Sequence, residues 1–194
     1  MASLHGCDAA VAVLDAALHR RLQHERMVAG EIPWDPSRLW EGEWLWGRGR
    51  PPGTTSMEEV HAVLASRRGH RVAPLLRTAV GLVDPACESV GETRTRLLLW
   101  RLGFRVRSQV ELRDAVGRLV ARVDFALEDE AVAIEFDGME KYERYGRTPA
   151  EDKRRDLAIR DLGFEPVHVG WDHLGHPEAV RRLVEDARRT VRAR

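Results

Sequence analysis

The chain has 194 residues, of which 43% are hydrophobic and 32% are charged, and its formal net charge is zero. This length and composition are typical of one globular α/β core with a small additional region, and no apolar run approaches the roughly 18 residues of a membrane span. The start of the chain lacks a signal-peptide pattern, and its two cysteines, Cys7 and Cys87, lack the spacing of a disulfide framework or zinc site. We therefore expect a soluble, cytoplasmic protein with reduced thiols and no membrane partner.

The first 84 residues predict a small helical region. Regularly spaced valine and leucine residues predict a helix from Asp8 to Gln23. Residues 30–56 hold glycine, proline and four of the six tryptophans, which indicates an irregular connector. We expect a second helix to begin near Ser56, which opens a capping-box pattern, and a third to cover Val72–Val83.

Residues 85–194 predict a second domain in which helices and strands alternate. Strand-like alternation of apolar and polar residues follows a helix with its own capping-box signature. The predicted elements are a helix from Ser89 to Gly103, strands Phe104–Leu112, Leu119–Leu127 and Ala131–Asp137, a helix Thr148–Leu162, a strand Phe164–Val169 and a helix Pro177–Arg192. This α-β-β-β-α-β-α order predicts an α/β fold, with a mixed sheet flanked by helices and a meander joined to its last strand by a helical crossover.

Charge is unevenly distributed along this neutral chain. The formal charge is −3 over residues 1–60, +6 over 61–110, −6 over 111–140 and +3 over 141–194. An acidic pocket between arginine-rich segments suits a site that holds a divalent cation and an anionic backbone together. Solvated surface charge is the competing explanation.

Three acids in the predicted strands form the central candidate site. Glu135 and Asp137 share one face of their strand, and the short turn before it brings Asp124 opposite Glu135. Burying such acids is costly unless they are paired or bind a metal, and Mg²⁺, which supports phosphodiester hydrolysis, prefers oxygen ligands. The alternative is that Asp124 and Glu135 pair with arginines such as Arg122 or Arg155.

The residues from Ser89 to about Leu174 resemble the restriction-endonuclease-like PD-(D/E)XK nuclease superfamily, in particular its actinobacterial branch related to very-short-patch-repair endonucleases. The matching stretches are Ser89–Glu92, Arg122–Phe125, Ile134–Gly138, Glu151–Asp156 and Trp171–Leu174. The resemblance implies a restriction-endonuclease-like core and a site for Mg²⁺ or Mn²⁺ built from Asp124 and Glu135, which Glu92 completes. A capping box requires glutamate at position 92 for helix-start reasons alone, so that explanation stays open.

One position departs from the superfamily pattern. Asp137 stands two residues after Glu135, where the pattern has a lysine that orients water and stabilises negative charge. Asp137 would add a metal ligand or accept a proton there. Lys141 and Lys153, the two lysines of the chain, are candidates for a relocated catalytic lysine, and surface exposure is the alternative for both.

Basic and aromatic residues near these motifs are candidates for binding nucleic acid. Arginines contact phosphates, and a tyrosine contacts phosphate or stacks on a base. The expected nucleic-acid-binding residues are Arg122, Tyr142, Arg154 and Arg155. Ordinary exposure or loop packing explains each of them individually.

The function expected from this sequence is that of a metal-dependent DNA endonuclease in repair, restriction or phage defence. Its expected partner is nucleic acid, and DNA is the expected kind. The sequence leaves open both the choice between DNA and RNA and pairing into a homodimer. The alternative is a noncatalytic nucleic-acid-binding or antitoxin-like regulatory protein that kept the fold. Asp137 at the lysine position favours that alternative.

Overall fold

A computed structural model describes residues 2–33, 53–138 and 148–194 of the chain. Most of the predicted connector at residues 30–56 therefore lies outside the described residues. The chain divides into two compact units, Met1–Thr93 and Arg94–Arg194. The predicted domain boundary after residue 84 stays a prediction.

Helices form the first unit. They are α1 (Ala2–Val28), α2 (Met57–Ser66), α3 (Ala73–Val80) and the beginning of α4 (Val90–Arg101). Helix α1 is longer than predicted because Cys7 and Met27, which are not part of the valine and leucine pattern, continue its buried stripe. Helix α3 ends before the predicted Val83, at the C-cap Gly81. None of the described helices combines the length and apolar character needed to cross a lipid bilayer.

Two sequence predictions about this unit are confirmed. The Ser56 hydroxyl accepts a hydrogen bond from the Glu59 amide at 3.2 Å, and the Ser56 amide donates to the Glu59 carboxylate at 2.9 Å, which together form the capping box of α2. Cys7 and Cys87 are both buried free thiols. Neither cysteine takes part in a disulfide.

A buried aspartate ties α1 to the start of α4. Asp15 is 1% exposed, and its two carboxylate oxygens accept hydrogen bonds from the Asp84 amide and the Thr93 hydroxyl, both at 2.8 Å. A buried carboxylate must be satisfied in this way because an unpaired charge would be costly. Asp15 therefore holds the two ends of the helical unit together.

A four-stranded mixed sheet forms the centre of the second unit. Its strands are β1 (Val106–Arg113), β2 (Leu119–Leu127), β3 (Val132–Asp137) and β4 (Glu165–Gly170), in the order β1-β2-β3-β4. The first two pairings are antiparallel and the β3–β4 pairing is parallel. Helix α5 (Pro149–Asp161) connects the parallel strands, and α6 (Pro177–Arg192) ends the fold. The predicted mixed α/β class and its helical crossover are confirmed.

Helix α5 packs on the sheet through Ile159. This residue is fully buried in a cluster with apolar side chains of β1, β2 and β3, namely Leu112, Ala121, Val123 and Ala133. The helix begins as predicted at Thr148, whose hydroxyl accepts from the Glu151 amide in a second capping box. Arg155 precedes Ile159 by four residues and so lies on the same side of the helix, toward the strands.

Glu130, just before β3, anchors the last helix. Its carboxylate accepts hydrogen bonds from Arg188 Nε at 2.8 Å and Nη2 at 2.7 Å, and from Arg192 Nη2 at 2.5 Å. The hydrogen bond from Arg188, with further help from Arg192, lowers the pKa of Glu130 from 4.5 to about 2. The amphipathic helix α6 is thereby held at the start of β3 as well as by its buried valines.

Replacement of Glu130 by glutamine should destabilise the protein by about 1 kcal/mol at neutral pH, because a charged, partly exposed pair becomes a neutral contact. A folded pKa lowered to about 2 means that this contribution is present above pH 4.5 and is lost as the pH falls toward 2. Chemical denaturation at several pH values measures the difference. Glu128→Gln, at a neighbouring exposed glutamate, is the control, and equal effects of the two variants would contradict the anchoring role.

Candidate functional site

Asp124 lies on β2 directly before Phe125 and Ala126, which pair with β3. Phe125 pairs with Ile134 in the antiparallel register. One position further along, the Asp124 carboxylate accepts a hydrogen bond from the Phe136 amide at 2.7 Å. A side-chain oxygen therefore takes over from the backbone there, and it brings Asp124 beside the segment that carries Glu135.

Glu135 is a buried acid on a central strand, with only 4% of its surface exposed. Its Oε1 atom accepts hydrogen bonds from Arg155 Nε at 2.9 Å and Nη2 at 2.6 Å. The same Nη2 donates to the carbonyl of Arg122 at 2.5 Å, so Arg155 links the acid to β2. The alternative prediction, that Asp124 and Glu135 pair with arginines, is confirmed for Glu135 and stays a prediction for Asp124.

His168 connects two acids next to this pair. It lies directly across from Glu135 in the parallel β3–β4 register. Its Nε2 is 3.0 Å from an Asp156 carboxylate oxygen, and its Nδ1 is 2.9 Å from Asp137. The contact between Nδ1 and Asp137 is an ion pair when the imidazole is protonated.

The charge state of His168 follows from these neighbours. The interaction with Asp137, assisted by Asp156, raises the pKa of His168 to about 9 although burial acts in the opposite direction. The imidazole is therefore positively charged at neutral pH. Sequence reasoning did not single out His168, and the one available signal was a polar residue between Val167 and Val169 in an apolar strand.

Glu92 belongs to the first unit, where it caps α4. Its carboxylate accepts hydrogen bonds from the Ser89 hydroxyl at 2.8 Å and the Glu88 amide at 2.9 Å, and its amide donates to Ser89 at 3.1 Å. The capping explanation is confirmed. A role for Glu92 as a metal ligand stays a prediction.

The remaining predicted site residues divide into two groups. Lys153 and Arg154 are exposed on α5, as is Arg122 on β2. Lys141 and Tyr142 lie outside the described residues. Within the described part of the chain, the cation that contacts Glu135 is therefore Arg155, two residues after Lys153.

The described residues offer few ligands for a metal ion at this site. Among the described residues, no group of three or more His, Cys, Asp or Glu side chains is arranged to hold a metal ion. Mg²⁺ is commonly held by one or two carboxylates, with water and substrate oxygens completing its shell. Asp124 and Glu135 fit that requirement, since both hydrogen bonds from Arg155 fall on one oxygen of Glu135.

Comparisons of the chain with protein-family models, with curated proteins and with solved structures gave no match. The resemblance to PD-(D/E)XK nucleases therefore rests on the sequence motifs and stays a prediction. The geometry of the described residues carries the functional interpretation.

Replacement of Asp137 by asparagine should lower the pKa of His168 from about 9 toward 6.5, because the largest influence on it is removed. A raised folded pKa means that charged His168 stabilises the native protein below pH 6.5 and that this contribution is lost as the pH rises through 9. Titration of the His168 ring signal by NMR in metal-free buffer measures the shift.

The control for this titration is Asp161→Asn, which changes an exposed acid on α5 and should leave His168 unaffected. A wild-type pKa of His168 near 6.5 would contradict the described pairing. Denaturation at pH 7 and pH 10 provides a second readout, since Asp137→Asn should reduce the difference between the two.

Proposed function

We propose that the chain is a Mg²⁺- or Mn²⁺-dependent nuclease that hydrolyses phosphodiester bonds in DNA and has a restriction-endonuclease-like core. The observation that carries this proposal is the position of Asp124 beside Glu135 on the two central strands. Buried or half-buried acids in apolar strands are costly, and they persist where a charge partner or a bound cation compensates them. The motif resemblance supports the same reading.

Asp124 and Glu135 are the residues that would hold the cation. A bound divalent cation supplies Lewis acidity and a water molecule of lowered pKa, which are the two requirements of phosphodiester hydrolysis at neutral pH. The protein contributes rigidity. Asp124 is fixed by the Phe136 amide and Glu135 by Arg155, so both carboxylates are oriented before a substrate arrives.

Arg155 and His168 offer the positive charge that the superfamily pattern assigns to a lysine. Arg155 contacts Glu135 directly, and His168 lies across from Glu135 and contacts Asp137. Asp137, which stands at the lysine position, pairs with His168, so a positive charge is present beside that position. Guanidinium and imidazolium groups stabilise negative charge that develops on a phosphate.

The exposed arginines beside this site suit a DNA backbone. Arg122 lies on β2, two residues before Asp124, and Arg154 is next to Arg155 on α5; both side chains are exposed. Exposed arginines make contacts to phosphate that position a duplex or a strand without reading its sequence. These residues are proposed to hold the substrate across the carboxylates.

Asp124→Asn and Glu135→Gln should each lower cleavage of plasmid DNA by at least about 100-fold, because even residues that only support metal ligands cost 10- to 100-fold when they are lost. Conversion of supercoiled plasmid to nicked and linear forms, with Mn²⁺ or Mg²⁺ and with EDTA, measures the activity. Both variants keep side chains of nearly the same size.

The matched control is Glu111→Gln, an exposed acid on β1 that pairs with Arg113. It should cut DNA as the wild type does. Cleavage that continues unchanged in both the Asp124 and the Glu135 variant would exclude the assigned site, and the same rate in EDTA would exclude the metal requirement.

A noncatalytic nucleic-acid-binding protein is the second candidate function. One observation favours it: each strand acid already has a partner within the chain, since Asp124 accepts from the Phe136 amide, Glu135 pairs with Arg155 and Asp137 pairs with His168. Such a network balances its charges without a metal. DNA binding in EDTA, together with no heat of Mn²⁺ binding to the protein–DNA complex in calorimetry, would favour this candidate.

Arg155→Gln separates the two candidates. Loss of the arginine leaves Glu135 as a buried, uncompensated charge and should cost about 3 kcal/mol of folding free energy. If Glu135 binds a cation, millimolar Mn²⁺ should raise the melting temperature of this variant more than that of the wild type. The control is Arg154→Gln, at an exposed neighbour, which should melt like the wild type. Absence of any Mn²⁺ effect on Arg155→Gln would support the noncatalytic candidate.

A further inference from the structure

We propose that Trp171 is a stacking site for an unpaired base of the DNA strand that approaches the carboxylates, and that Arg94 contacts a neighbouring phosphate. This inference rests on the proposed function, in that it assumes a nucleic-acid substrate. It adds a substrate class, which is DNA that is single-stranded or locally unpaired.

Trp171 lies at the end of strand β4. Strand β4 ends at Gly170, which lies across from Asp137 in the parallel register, and Trp171 is the next residue. A Cβ atom at Gly170 would lie only 2.7 Å from a carboxylate oxygen of Asp172. The small residue therefore permits a tight passage from β4, and the tryptophan follows directly beside the strand end that carries Asp137.

The indole ring is held in position but is not buried. Its centroid is 5.0 Å from that of Phe136, with an angle of 87° between the ring planes, which is an edge-to-face contact. Along β3 the Phe136 side chain points to the face opposite Glu135 and Asp137, while its backbone amide binds Asp124, so the indole lies at the end of the sheet on the other face from those two acids. Trp171 nevertheless remains 45% exposed, so a large part of a pre-positioned aromatic surface faces solvent.

The position of Arg94 indicates that a flat group fits against the exposed face of the Trp171 ring. The Arg94 Cζ atom is 5.7 Å from the centroid of the Trp171 ring, so a flat guanidinium already lies over the indole. A nucleobase is also flat and stacks on the same surface. Because Arg94 is exposed, its side chain can give way to a base and pair with the phosphate next to it.

The stacking surface selects for unpaired bases. In a duplex both faces of each base are already covered by its neighbours, and exposing one face costs a few kcal/mol. A base in a single strand, a mismatch or an open junction has a free face at lower cost. Trp171 should therefore favour DNA with unpaired nucleotides over an intact duplex.

Trp100 provides a matched comparison within the same unit. It is 51% exposed, similar to Trp171, but among the described residues no aromatic or cationic side chain contacts its ring. Exposure alone is therefore common to both tryptophans. The edge-to-face support from Phe136 and the adjacent arginine distinguish Trp171.

The experiment measures binding of the full chain to a fluorescently labelled single-stranded DNA oligonucleotide in EDTA, by anisotropy, so that no cleavage is needed. Trp171→Ala should weaken binding about 10-fold, in line with the loss of one stacked base. Trp171→Phe should keep most of the affinity, and Trp100→Ala should match the wild type. Circular dichroism of each variant checks that it is folded.

Arg94→Ala gives an independent readout that keeps the ring intact. Removal of one phosphate contact should lower the slope of log affinity against log salt by about 1. An unchanged slope would overturn the role given to Arg94, and this result does not depend on whether the Trp171→Ala variant folds.

Several outcomes would overturn the stacking site. They are equal binding by Trp171→Ala and wild type, no binding of single-stranded DNA by the wild type, tighter binding of an intact duplex or an RNA of the same sequence, and a Trp100→Ala loss as large as that of Trp171→Ala. The proposed nuclease function fails separately, through cleavage assays on the Asp124 and Glu135 variants. If the wild type cleaves DNA and Trp171→Ala binds single-stranded DNA as the wild type does, the stacking proposal fails and the nuclease proposal is unaffected.

Discussion

The buried pairing of Glu135 with Arg155 is the interaction on which the second unit depends. An acid that is 4% exposed on a central strand requires a compensating charge, and Arg155 of the crossover helix α5 supplies one. The helix can do so because its start is fixed by the capping box at Thr148 and its middle by Ile159 in the core. Arg155 then reaches both Glu135 and the carbonyl of Arg122, so the same side chain joins α5, β3 and β2. The orientation of α5 therefore determines both the burial of Ile159 and the pairing of Arg155 with Glu135.

Local patterns in the sequence were sufficient to predict the order of elements and the antiparallel meander of the first three strands. Strand β2 and the last helix begin and end at the predicted residues, and the capping patterns at Ser56 and Thr148 mark real helix starts. These features succeed because a cap, a turn or an alternation is encoded within a few residues. Asp124 lies beside the Glu135 segment for the same reason, since a short turn fixes the register of its two strands.

Other parts of the site depended on contacts between distant residues. The sequence left two cations of α5 open, Lys153 as a relocated lysine and Arg155 as a partner of Glu135. The structure shows that Arg155 contacts Glu135. The spacing of four residues between Arg155 and Ile159 indicates this choice only when Ile159 is known to be buried. His168 could not be assigned because its partners, Asp137 and Asp156, are brought to it by the parallel pairing of β3 with β4 and by the packing of α5. Long-range pairing of this kind has no local signature.

The charges of the site explain how an aspartate can stand where a lysine is expected. Asp137 does not remove positive charge from the site, because it holds His168 in its cationic form next to the pair formed by Glu135 and Arg155. Two cations, Arg155 and His168, therefore lie among the strand acids before any ligand is present. They repel a further metal cation unless a negatively charged group binds together with it. A phosphate group brings that negative charge and also oxygen atoms that suit a hard cation. Under the proposed function, cation binding at Asp124 and Glu135 is for this reason coupled to nucleic-acid binding, and the protein without substrate keeps its acids paired with its own side chains.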